Sequence, residues 1–205
     1  MAAPGTSEIA EALKQALGIG ARRVVGRLGR ADGFNASGDV HIPLPGTLAT
    51  VQKTLSRFGM GDLGRDLELR LNRAAEAAVP RAGKLFADAI SALTLDDVRR
   101  IYDGPDDAAT RYFQKQMSVP LASSMRPIVD QELAGAGAIA AYDDMMGKYR
   151  ALPFVPDAKA DLVDYVLGRA LDGVFTYLAR EEASIRRNPA RRTTELLQRV
   201  FGARR

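Results

Sequence analysis

LGRDLELRLNRAAEAAVPRAGKLFADAISAL, residues 63–93, decides the fold class. Leu63, Leu67, Leu71, Ala74 and Ala78, then Leu85, Phe86, Ala89, Ile90 and Leu93, recur at three- and four-residue steps. That spacing sets one apolar face along a helix of about thirty residues. Pro80 falls inside the pattern and predicts a kink, because proline has no N–H to give and its ring crowds the preceding turn.

The same period extends in both directions. Upstream, Ile9, Leu13, Ala16, Leu17, Val24, Val25 and Leu28 predict a helix opened by Ser7, weakened by about 1 kcal/mol at each of Gly18 and Gly20. Residues 29–46 form an irregular loop, within which Val40-His41-Ile42-Pro43-Leu44-Pro45 is extended, since a residue preceding proline is pushed out of the α region. Leu48, Val51, Leu55 and Phe58 make a short helix ended by Gly59. Downstream, Thr94-Leu95-Asp96-Asp97 reads as a capping box with Asp in place of Glu, opening a helix closed by Gly104. Pro105-Asp106-Asp107 reads as the next helix start, and Pro120 and Pro127 interrupt the helix it opens. Ile139 to Tyr149 makes a shorter helix, Leu162 to Arg187 a long one, and a last helix is capped by Asn188 with Pro189 at its first position.

No alternating run of strand length appears. The expected fold is all-α: one domain over residues 1–205, a bundle of about eight helices with kinked long helices. Two proline-locked connectors join them, Ile42-Pro43-Leu44-Pro45 and Leu152-Pro153-Phe154-Val155-Pro156, and residues 203–205 form a basic tail. The halves show no sustained self-similarity.

Composition narrows the chemistry. The 205 residues contain one histidine, no cysteine and no tryptophan. Thiolate nucleophiles and thiolate metal sites are excluded, and a Ser-His-Asp site would have to use His41. The net charge of +4 is unevenly spread. Lys14, Arg22, Arg23, Arg27 and Arg30 outnumber Glu8 and Glu11 at one end; Arg186, Arg187, Arg191, Arg192, Arg199, Arg204 and Arg205 outnumber Glu195 at the other. Residues between them are net acidic. Basic ends can serve an anionic partner or neutralise the body of the same molecule. They lie on amphipathic helices rather than in a continuous tail, which favours neutralisation. They also lack interleaved aromatics, so no specific nucleic-acid site is expected. No apolar run reaches membrane-spanning length.

Four places carry candidate chemistry. His41 sits alone in the extended loop, where a polar or cationic loop role outweighs that of base or metal ligand. Asn72, Arg73 and Glu76 lie on the first half of the long helix, with Asn72 and Glu76, four apart, together on one flank. They offer an amide, a guanidinium and a carboxylate to a polar ligand, or else a buried network that ties the helix to a loop. Asp143-Asp144 and Glu181-Glu182 are adjacent pairs whose members diverge by about 100°, so neither pair chelates a cation. One of Glu181 and Glu182 borders the apolar stripe and can meet an arginine across the bundle. Tyr112, beside Phe113, completes the candidate ligand-binding set of Asn72, Arg73, Glu76 and Tyr112. No catalytic set, metal set or cofactor motif emerges.

Ordered blocks along nearly the whole chain carry a resemblance: Ile42-Pro43-Leu44-Pro45, Leu71-Asn72-Arg73-Ala74-Ala75-Glu76, Ala108-Ala109-Thr110 with Tyr112-Phe113, Pro127-Ile128-Val129, Ala170-Leu171-Asp172-Gly173-Val174-Phe175, and Ile185-Arg186 before Asn188-Pro189. On these the chain resembles the bacterial family of domain of unknown function 4197. It departs from the pattern at His41, in place of arginine or lysine, at Met117 and at Met125. The resemblance implies no assigned activity. It does imply a secretion signal in many relatives, and Met1-Ala2-Ala3-Pro4, which lacks signal-peptide features, suits a mature chain. The residues alone favour the cytoplasm; the resemblance moves the expectation to the periplasm or cell envelope. The expected function is a non-enzymatic helical binding or interaction protein, taking a small apolar or amphipathic ligand or a protein partner. The alternatives are a hydrolase-type enzyme using Glu76 and a binder of anionic lipid or nucleic acid.

Overall fold

The stripe at 63–93 becomes a single 30-residue helix, Asp62–Ser91, in the computed structural model, which describes residues 5–153 and 161–202. Among those residues every regular element is helical: α1 (Thr6–Leu28), α2 (Gly46–Ser56), α3 (Asp62–Ser91), α4 (Leu95–Asp103), α5 (Ala108–Gly135), α6 (Ala138–Arg150), α7 (Leu162–Arg187) and α8 (Glu195–Gly202). A 3-10 turn, Pro189–Arg191, lies between the last two. Leu67, Leu71, Ala74, Ala78, Phe86 and Ile90 are buried along α3, as the periodicity requires.

The chain divides into two compact units, each gathered from separate stretches. One takes residues up to Arg27, Ala82–Leu121 and the chain from Gly173. Its core includes Leu13 and Leu17 of α1, Ile101 of α4, Phe113 of α5, and Val200 and Phe201 of α8. Phe86 and Phe175 meet edge to face there at 6.3 Å. The other takes Leu28–Arg81 and Ala122–Asp172. Its core includes Phe34, Ile42, Leu48, Leu71, Met125 and Met145. Gly137 caps α6 at φ 71°, a left-handed conformation that glycine adopts without strain. A Cβ at that position would lie 2.7 Å from Arg70 Nη1.

The Thr94–Asp97 capping box forms as expected, with α4 closed at Gly104. Other boundaries differ, each for a physical reason. Helix α1 opens at Thr6 rather than after Ser7, because the Glu8 carboxylate accepts the Gly5 N–H at 3.1 Å. Phe58 lies beyond the end of α2 and is 59% exposed. Residues 105–107 form a turn, and α5 starts at Ala108, where a glutamate from α7 takes over the first N–H groups. Pro120 and Pro127 do not interrupt α5. Both are exposed, while Leu121, Met125, Val129 and Leu133 carry the buried face past them. Asn188 caps the 3-10 turn through the Ala190 N–H, and α8 begins at Glu195 with the Thr194 hydroxyl accepting the Leu197 N–H. Of the second connector, Phe154-Val155-Pro156 lies outside the described residues, as do Met1–Pro4 and the tail at 203–205.

Candidate functional site

Glu68, Asn72 and Glu76 stand one turn apart on α3 and hold the irregular segment 34–44 largely by its main chain. The prolines at 43 and 45 keep residues 41–45 extended, so the N–H and C=O groups there have no helical partners of their own and need others. Glu76 Oε1 accepts the N–H groups of Phe34 and Asn35, both at 3.0 Å, while Oε2 accepts from Arg73 Nη1 at 2.7 Å. Asn72 reads Ile42 from both sides: its Oδ1 accepts the Ile42 N–H at 2.9 Å and its Nδ2 donates to the Ile42 carbonyl at 2.8 Å. Glu68 Oε2 accepts the Leu44 N–H at 3.0 Å, and its Oε1 lies 3.0 Å from His41 Nε2. Tyr165 of α7 donates its hydroxyl to the Pro43 carbonyl at 2.8 Å. Between these bonds Phe34, Ile42 and Leu44 turn inward and are buried.

Arg73 also reaches Asp32 at 2.9 Å, at the turn where Asp32 takes φ 64°. The Asp32 carboxyl is held below its ordinary value by the Asn35 amide first and by Arg73 next. Arg73 is in turn pushed further up, chiefly by Glu76. The structure thus brings Asn72, Arg73 and Glu76 together as a network tying helix to loop. Glu76 is 3% exposed and Asn72 fully buried, and each is saturated. Among the described residues no buried side-chain polar atom lacks a partner.

Tyr112 belongs to the other unit. Its hydroxyl bonds Asp97 of the capping box, and burial first and Asp97 second push it up from its ordinary value. Asp97 moves the opposite way, lowered first by the Thr94 hydroxyl and further by the Thr94 N–H, Tyr112 and Arg100. The ring meets Phe113 edge to face at 5.7 Å. The four candidate ligand-binding residues therefore belong to two separate clusters.

A second buried carboxylate, read from the sequence as one of a pair bordering a stripe, has a larger structural part. Glu182 accepts the Ala109 and Thr110 N–H groups at 3.0 and 2.9 Å and the Thr110 hydroxyl at 2.9 Å. It pairs with Arg186 one turn on, at 3.0 Å, with both side chains under 5% exposed. Arg186 in turn donates to the carbonyls of Ile101 and Tyr102. A carboxylate thus faces the positive end of α5 and a guanidinium the negative end of α4, each opposing a helix dipole. The usable sequence signal is the i,i+4 pair Glu182–Arg186, which straddles Ile185 of the apolar stripe. Its neighbour Glu181 meets Arg23 of α1 at 3.2 Å, and Asp143 and Asp144 are exposed.

The basic end is largely engaged within its own unit. Arg187 pairs with Asp106, Arg191 with Glu181, and Arg199 with Glu8, while Arg192 donates to the carbonyls of Ile185 and Arg186. An open groove of about 520 Å³ runs past Arg111, Arg180 and Arg187, where Asp107 and Asp106 pair with the first and last. An enclosed apolar cavity beside Leu17, Leu178 and Phe201 measures about 10 Å³, room for one water at most. Among the described residues no cluster of three metal-ligating side chains occurs, and no helix is long and apolar enough to cross a membrane.

No curated protein and no solved structure matches the chain. The blocks that build the ladder on α3 and the Glu182 corner both lie within the stretch matched by one family model, described as protein of unknown function (DUF4197), over residues 3–202. Covering nearly the whole chain, that match makes this protein a member of the DUF4197 family.

Proposed function

We propose that the chain is a non-enzymatic helical binding or interaction protein of the bacterial cell envelope, engaging a protein partner through its surface. The observation that carries this reading is the saturation of Glu76: both carboxylate oxygens are committed, to two main-chain N–H groups and to Arg73. A general acid or base must reach the proton it moves and exchange it near the working pH. A carboxylate whose two oxygens are taken up by three donors inside a core is poorly placed to reach a substrate proton. The 10 Å³ cavity is itself too small to hold an apolar small molecule, which favours a surface partner over a ligand buried there. The internal pairing of Arg187, Arg191 and Arg199 supports self-neutralisation over capture of lipid or nucleic acid. The envelope location rests on the resemblance to proteins that carry secretion signals.

Native mass spectrometry of the protein isolated from its own host tests the reading. The expected result is a protein bound in integral ratio, retained by a folded Glu76→Gln variant. Hydrolysis of an ester or amide panel by the wild type, abolished in Glu76→Gln at unchanged Tm, would replace it with the enzymatic alternative.

A further inference from the structure

Both ring nitrogens of His41 face groups that accept hydrogen bonds. Nδ1 lies 2.8 Å from the Asn35 carbonyl, and Nε2 lies 3.0 Å from Glu68 Oε1. A neutral imidazole owns one N–H and can serve one of these acceptors, whereas imidazolium serves both. The other oxygen of that same Glu68 accepts the Leu44 N–H, so one carboxylate joins the ring to the backbone of the 34–44 segment, a strap across α3. Glu68 is the charged group facing the ring from α3. On the strap itself the ionisable neighbour is Asp39, two residues away along the chain. The next ladder positions on α3 are the neutral Asn72 and the Arg73-paired Glu76. Ring and carboxylate are 32% and 29% exposed, so solvent protons reach them.

We propose that His41 makes the strap a proton-dependent latch. Imidazolium clamps residues 41–44 onto Glu68. Loss of one proton removes the bond to Glu68 or to Asn35 and loosens that end of the strap, while Glu76 continues to hold residues 34 and 35. Histidine is the side chain whose ordinary titration falls between pH 5 and 8, which gives the latch a range that lysine or arginine would not. The ligand sensed is the proton itself.

Since His41 is the sole histidine, imidazole nitrogen resonances of untagged protein report it without assignment. The resonances are followed between pH 5 and 8, the interval in which histidine ordinarily changes charge. Across that range the amides of Ile42 and Leu44, corrected for intrinsic exchange, should exchange about threefold faster, the weight of a half-exposed ion pair. The Phe34 and Asn35 amides serve as an internal control and keep their protection. In His41→Arg the Ile42 and Leu44 amides should stay protected throughout. A ring already neutral at the acid end of that range, or protection at Ile42 and Leu44 that stays flat while the ring titrates, overturns the proposal. The wild-type titration decides by itself if a variant fails to fold.

Discussion

Arg186 and Arg187 are adjacent in sequence, and their substitution should differ greatly in cost. Arg186 is buried against Glu182, so Arg186→Met strands a buried carboxylate and should lower unfolding free energy by about 3–5 kcal/mol. Arg187 is 75% exposed in its pair with Asp106, and Arg187→Met should cost less than about 1 kcal/mol. Urea denaturation of the two variants makes the comparison; equal costs would refute the buried-corner account. Asn72→Ala leaves the N–H and C=O of Ile42 unpaired in the core, and the expected loss is about 2–5 kcal/mol at unchanged m-value. At this scale the sequence was partly legible. The i,i+4 spacing placed Asn72 and Glu76 on one flank and allowed the helix-to-loop network that forms. Phe34, fully buried, was not legible, because a loop residue has no period from which burial can be read.

Elements were the most readable level, since apolar periodicity and capping chemistry act locally. The capping box of α4 was recognisable from four residues, and it sets a pH window. Thr94 holds the Asp97 carboxyl below its ordinary value, so the contribution is complete above about pH 4 and fades as pH falls through the lowered value. Tyr112 works in the other direction: its raised hydroxyl contributes fully below about pH 10, and that contribution fades as pH rises through the raised value. Thr94→Ala should cost about 1 kcal/mol at neutral pH, with the gap to wild type narrowing below pH 4 in thermal melts. A gap that stays constant into acid would remove Asp97 from the cap. The prolines of α5 were misread as breaks because the rule of thumb weighs the lost N–H bond and ignores which face it lies on. Pro120 and Pro127 sit on the exposed side. Pro120→Ala should therefore stabilise the protein, by about 1–3 kcal/mol, in the same melts.

For the whole molecule, the charge map has a concrete structural counterpart. Arg191 pairs with Glu181, and Arg192 covers the last carbonyls of α7. Reversing both to glutamate should cost about 1–2 kcal/mol in stability. Binding to anionic vesicles at physiological salt should stay negligible before and after; strong binding lost on reversal would restore a lipid-facing role. The all-helical class and the inward faces followed from sequence, whereas the grouping of distant stretches into two units did not. That grouping depends on contacts such as Glu182 with Ala109 and Asn72 with Ile42, whose partners share no local pattern.

The bonds of α1 have a consequence for the order of events in folding. Glu8 pairs with Arg199, Gln15 with Thr194 and Arg23 with Glu181, at separations of 191, 179 and 158 residues. These polar side chains of α1 thus find their partners only when the stretch 181–199 is in place, and contacts this distant in sequence slow closure of the fold. The seven-residue gap between α7 and α8 therefore joins the two stretches, at Glu181 and at Thr194 to Arg199, on which those bonds of α1 depend.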